Sequence, residues 1–153
     1  MPILPEAFRR LGNVFAVALI VFALAAPPAQ AGSQEDALAA ALRGNSGTLS
    51  KLLKNGRVSP NTVDEHGNSL LILAARDGHI EAVKVVLSFR PQVDHRNKTG
   101  DSALMLAASK GNMQLLDLLL ANGAKTNPVP GENVWTALHY AALEGKLPAV
   151  DRL

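Results

Sequence analysis

The sequence predicts an all-α solenoid, built from helix-turn-helix units that stack in one direction and are joined by hairpin-like turns. Three observations carry this expectation. The run Ser102-Ala103-Leu104-Met105-Leu106-Ala107-Ala108 recurs 33 residues earlier as Ser69-Leu70-Leu71-Ile72-Leu73-Ala74-Ala75, and 34 residues later as Thr136-Ala137-Leu138-His139-Tyr140-Ala141-Ala142. A glycine follows each run in register at Gly78, Gly111 and Gly145, and Gly44 stands 34 residues before the first of these. After the glycines, Leu49, Leu52 and Leu53, then Val83, Val86 and Leu87, then Leu116, Leu119 and Leu120 keep the i, i+3, i+4 spacing of a helix with one apolar stripe. Self-similarity at a period in the low thirties marks a stacked-repeat protein, because a unit of that size cannot bury its apolar face without neighbours.

These residues resemble the ankyrin repeat. The family's Thr-Pro-Leu-His-x-Ala-Ala run is fullest in Thr136-Ala137-Leu138-His139-Tyr140-Ala141-Ala142, followed by Gly145. Its Leu-Leu-x-x-Gly-Ala-x-x-Asn mark is found in Leu119-Leu120-Ala121-Asn122-Gly123-Ala124-Lys125-Thr126-Asn127. The resemblance covers residues 34–153, and it implies an ankyrin-repeat solenoid over residues 32–153.

Residues 1–31 differ in kind from the rest. Arg9 and Arg10 precede an uncharged apolar run of 13 residues, 14–26; Pro27 and Pro28 break it, and Ala29-Gln30-Ala31 offers the small residues that a signal peptidase inspects. A signal peptide over 1–31, cut between Ala31 and Gly32, is therefore expected. The alternative is an uncleaved anchor, although a membrane span needs about 20 apolar residues.

The units then follow in order. Residues 33–57 read as a degenerate cap repeat: Ser33 is placed to cap a helix start beside Glu35 and Asp36, Gly44-Asn45 ends that helix, and a second helix follows. Residues 64–94 form a repeat entered by the turn Asp64-Glu65-His66-Gly67-Asn68, with Leu71, Leu73 (or Ile72), Ala74 and Ala75 facing inward. Gly67 and Gly100 are expected to hold positive φ. Arg90, followed by Pro91, stands where Gly56 and Gly123 stand in other units, so local strain is expected there. Residues 97–127 are the cleanest unit, with Leu104, Leu106, Ala107, Ala108, Met113, Leu116, Leu119 and Leu120 as its expected core. Residues 131–153 make an incomplete last repeat. Val134 replaces the tip glycine, Pro148 sits in the first helical turn, and Leu153 matches Leu120, leaving an apolar edge.

Composition excludes several function classes. The net charge is +2, and without Arg9, Arg10 and Glu6 there remain 13 basic and 12 acidic side chains, so a nucleic-acid partner is not expected. The chain has no cysteine, hence no disulfide framework, thiolate metal site or cysteine nucleophile. No Gly-x-Ser-x-Gly elbow, phosphate-binding loop or dinucleotide fingerprint is present, so neither an enzyme nor a cofactor is expected. The spacings of His66, His79, His95 and His139 fit no compact metal-ligand pattern. His79 and His139 fall where the ankyrin pattern places histidine, which implies hydrogen bonds to loops between units. His66 and His95 lie at turns and are read as solvated, the alternative being a low-affinity metal site with Asp64 or Asp94.

The resemblance further implies protein binding on a concave face made by the hairpin tips and the exposed side of the first helices. By position, the tip residues are Glu65, His66 and Asn68; Lys98, Thr99 and Asp101; and Glu132, Asn133 and Trp135. Those on the first helices are Arg76 and Asp77, Ser109 and Lys110, and Leu143 and Glu144. Trp135 is either an interface anchor or is folded back onto the stack. The function expected is an exported, non-catalytic module for a periplasmic or extracellular protein partner, meeting the membrane only through the N-terminal segment before cleavage. The alternatives are a tethered structural protein retaining 14–26, and a secreted effector acting on host proteins.

Overall fold

Each repeat's first helix ends on local chemistry that is already written in the sequence. In the computed structural model, residues 28–127 and 135–153 are described, and the repeats lie in the unit Ser33–Leu153. The helices are α1 (Pro28–Leu42), α2 (Ser46–Lys54), α3 (Leu70–Arg76), α4 (Ile80–Ser88), α5 (Ala103–Lys110), α6 (Met113–Ala121), α7 (Ala137–Leu143) and α8 (Leu147–Arg152). They pair as four helix-turn-helix units, α1/α2 through α7/α8. Beyond each first helix, the loop glycine N–H donates to the carbonyl three residues before it and the next N–H reaches one residue deeper into the helix. The bonds are Gly44 to Ala41 with Asn45 to Ala40, Gly78 to Ala75 with His79 to Ala74, Gly111 to Ala108 with Asn112 to Ala107, and Gly145 to Ala142 with Lys146 to Ala141. This is the same Schellman closure four times over, each with glycine in the left-handed region.

Helix starts are capped as locally. The Ser69 hydroxyl accepts from the Ile72 N–H at 3.2 Å, and Asn45 and Asn112 accept from Thr48 and Leu115, both at 3.1 Å. Such caps are each worth about 1 kcal/mol. Met105 and His139 reach back from the third helical position: the Met105 sulfur and His139 Nδ1 accept the backbone N–H of Ser102 and Thr136. His139 thus bonds within its own unit, which corrects the inter-unit role expected of it.

First helices pack on first helices, α3 on α5 and α5 on α7, while α2–α4, α4–α6 and α6–α8 form the second layer. The alanine pairs allow this close approach, and Ala74, Ala75, Ala107 and Ala108 are fully buried. Leu71 and Leu104 are 1% and 3% exposed, whereas Leu138, at the same position of the last unit, is 44% exposed and Ala142 is exposed too. The loops interlock as well. A Cβ on Gly44 would lie 2.5 Å from the His79 ring, and one on Gly78 would lie 3.0 Å from Asn112 Nδ2, so each loop glycine makes room for a residue of the next unit.

Several expectations are corrected. Helix α1 begins at Pro28, because Ala29, Gln30 and Ala31 are good helix formers and proline is harmless at a first helical position. Ser33 is consequently a buried interior residue and not the cap. In the third unit Met105 and Leu115 are buried, while Leu106, Met113 and Leu120 are only half-buried. Arg90 is the only non-glycine with positive φ (52°) among the described residues, as its position implied. Its N–H donates to Leu87, and Pro91 has no N–H with which to complete the second closing bond. Gly67 and Gly100 hold φ of 77° and 89°. The signal-peptide run at 14–26 and the tip residue Val134 lie outside the described residues.

Candidate protein-interaction face

The hairpin tips are built on Asx chemistry. Asp64 Oδ1 accepts from the N–H groups of His66 and Asn68, at 2.9 and 2.8 Å, and its Oδ2 accepts from Asn68 Nδ2 at 2.9 Å. One repeat later, Asn97 Oδ1 accepts from the N–H groups of Thr99 and Asp101, at 3.1 and 2.8 Å. Short polar side chains fold these turns because they give the backbone an alternative to helix or ladder bonding. Partial burial works to raise the Asp64 pKa, but the Asn68 side-chain and backbone bonds, the His66 N–H and the His66 charge outweigh it. The carboxyl is held below its ordinary value.

Successive tips are stitched together. The Lys98 N–H donates to the His66 carbonyl at 3.0 Å, and Asn97 Nδ2 donates to Asn68 Oδ1 at 2.8 Å. His95 Nε2 bonds the Gly67 carbonyl at 2.8 Å, and His79 Nε2 bonds the Leu42 carbonyl at 3.1 Å. The bridging role expected of His139 therefore belongs to His95, a half-buried residue that the sequence placed in solvent; His79 bridges as expected. Asp94 Oδ1 accepts the Lys125 N–H. Among the described residues, no group of three or more acidic or histidine side chains is arranged to hold a metal ion.

Between the tips of the second and third repeats lies an open hollow of about 410 Å³, lined by His66, Asn68, Arg76, Asn97, Lys98, Thr99, Asp101 and Leu106. Six of these were placed on the binding face from the sequence. Asn97 and Leu106 were missed, although Asn97 stands one period after Asp64 and Leu106 one period after Leu73. Asn68 corrects its expected exposure: it is 3% exposed, since its amide is spent joining Asp64 to Asn97. Asp101 takes the Thr99 hydroxyl on Oδ2 at 2.7 Å and the Tyr140 hydroxyl on Oδ1 at 2.6 Å. That bond ties the last repeat to the hollow. Donating to Asp101 raises the Tyr140 pKa, as do burial and the Asp101 charge, against a smaller opposing effect of Arg96.

The remaining candidates do not converge on the hollow. Glu65 is exposed beside His66 (3.5 Å), and Asp77 pairs with Lys110 at 3.9 Å. Ser109 is half-buried; Leu143, 66% exposed, and Glu144 face solvent at the far end. Glu132 and Asn133 lie outside the described residues. Trp135 is 51% exposed and lies edge-on to Tyr140, with ring centres 5.7 Å apart and planes at 66°, and tilted against His139 at 5.9 Å. It is therefore both leaned on the stack and open to solvent.

A family model for ankyrin repeats, in three copies, matches residues 37–129 and 87–153. Similar curated proteins include the ankyrin repeat and KH domain-containing protein mask-1 of Caenorhabditis elegans, 39% identical over 84 residues, and the nuclear factor NF-kappa-B p105 subunit of Mus musculus, 38% identical over 82 residues. The matches span 54% and 52% of this chain but only 3% and 8% of those relatives, so the similarity is to a segment of much longer proteins. With the matched residues spanning nearly all of the described repeats, the chain belongs to the ankyrin repeat family, whose repeats generally mediate protein–protein interaction.

Proposed function

We propose that the chain is an exported ankyrin-repeat protein with no chemistry of its own, which holds a protein partner of the periplasm or extracellular space on its concave face. The observation that supports the binding role most is the hollow, where tip and first-helix side chains of two repeats converge as the binding surface requires. Its walls are already fixed by inter-repeat hydrogen bonds, so little conformational entropy is lost when a partner docks. Export rests on residues 1–31, where an arginine pair, an apolar run and an Ala-x-Ala site follow one another. A partner secreted with this protein and a host protein outside the cell are both compatible with it.

One observation favours a second reading, retention of 14–26 as a membrane tether. Helix α1 runs from Pro28 through the Ala31–Gly32 bond, whereas a peptidase takes its substrate extended. Among the described residues no helix is long and apolar enough to cross a membrane. Intact mass of the protein from its source cells decides: a chain starting at Gly32 removes the tether, and an intact N-terminus removes cleavage. For binding, partners captured by the wild-type protein are compared with those captured by W135A/K98E. Selective loss of a partner supports the concave face, and equal recovery of every partner refutes it.

A further inference from the structure

We infer that the hollow between the tips of the second and third repeats takes an acidic segment of the partner, with carboxylates on Arg76 and Lys98 and an apolar side chain on Leu106. The inference rests on the concave-face reading and adds the chemistry of what docks there.

The polar groups of the hollow divide sharply into spent acceptors and unspent donors. Asn68 Oδ1 already accepts from Asn97, and Asn97 Oδ1 accepts from two backbone N–H groups. Both carboxylate oxygens of Asp101 are engaged, by Thr99 and Tyr140. The one acid in the wall is thus bound into the fold and offers a cationic ligand little. Arg76 and Lys98 stand differently: among the described residues neither has an ion-pair partner or a side-chain hydrogen bond, whereas nearby Lys110 is paired with Asp77. His66 is turned to Glu65, 3.5 Å away. Two unpaired cations and their N–H donors in a partly enclosed site select a ligand rich in acceptors and negative charge. Half-buried Leu106 in the same wall adds an apolar contact that a free inorganic anion cannot use but a peptide side chain can.

The test uses the full chain and equal-length fluorescein-labelled peptides of Glu and Leu, Gln and Leu, and Lys and Leu, with anisotropy as the readout and inorganic phosphate as competitor. The Glu and Leu peptide is expected to bind roughly tenfold or more tightly than the other two, and to weaken with salt. R76Q/K98Q should lower that affinity by about tenfold or more. K51Q/K54Q, which removes the same charge from exposed positions on α2, should leave it unchanged. Circular dichroism checks that both double variants fold. Equal loss in the two double variants, displacement of the peptide by phosphate at equal charge, or no preference for the Glu and Leu peptide each overturns the inference. A partner still captured by the wild type and lost in W135A/K98E, with no acidic preference among the peptides, would remove the acidic assignment and leave the concave-face reading standing.

Discussion

Replacing Gly44 by alanine probes the interlocking of successive units at one atom. Gly44 holds φ of 69°, where an L side chain costs about 1–2 kcal/mol, offset by about 0.5 kcal/mol because alanine restricts the unfolded chain. The new Cβ would also sit 2.5 Å from His79 Nδ1 and 2.6 Å from Cγ, so the ring has to leave. With it goes the His79 bond to the Leu42 carbonyl, worth about 0.5–1.5 kcal/mol. The expected total is roughly 1–3 kcal/mol. Gly56, in the same unit at φ of 64°, has open space where its Cβ would point, so G56A should cost only about 1 kcal/mol. Urea unfolding followed by circular dichroism gives both values, with an unchanged m-value showing that stability alone has moved. A double-mutant cycle with H79A should return a coupling of about 1 kcal/mol for G44A and none for G56A. Equal costs at the two glycines, with no coupling to His79, would refute the interlocked stack.

Four further outcomes are expected. Arg90 is held at φ of 52°, so R90G should stabilise the fold by about 0.5–1 kcal/mol in the same urea assay. A75L should cost about 1–3 kcal/mol by overpacking between α3 and its neighbours, whereas A142L, at the matching but exposed position, should be nearly neutral. The single tyrosine should ionise above its ordinary value of 10.0, seen as a late rise in tyrosinate absorbance; because its folded pKa is raised, the Tyr140–Asp101 bond stabilises fully below pH 10 and is lost as pH climbs through the folded value. D101N should lower that midpoint. Asp64 works in the opposite sense. Its depressed pKa supplies stability above about pH 3.8 that disappears as pH falls, so D64N should flatten the acid limb of the unfolding profile.

The helices of units two to four and their closing glycines were legible because they depend on residues close in sequence: a hydroxyl three residues before a backbone donor, a glycine one or two residues past a helix end. What the sequence hid depends on approach between units. Asn68 looks like an exposed tip residue until its amide is seen joining Asp64 to Asn97, which lies 29 residues beyond Asn68. His95 looks solvated until the Gly67 carbonyl is found against it. The exchange of Met105 for Leu106 in the core is a matter of helix rotation: both are apolar, and only the packing of α5 between α3 and α7 decides which faces in. Ser33 was misread because a good capping residue followed by acids is also compatible with a helix that has already begun.

Site-specific photo-crosslinking tests the central claim most directly. A photoreactive residue at position 98, in the hollow, is compared with one at position 84, exposed on the second-helix layer. The partner should be captured from position 98 and not from position 84. Capture from position 84 alone would place recognition on the opposite layer and contradict the concave-face account.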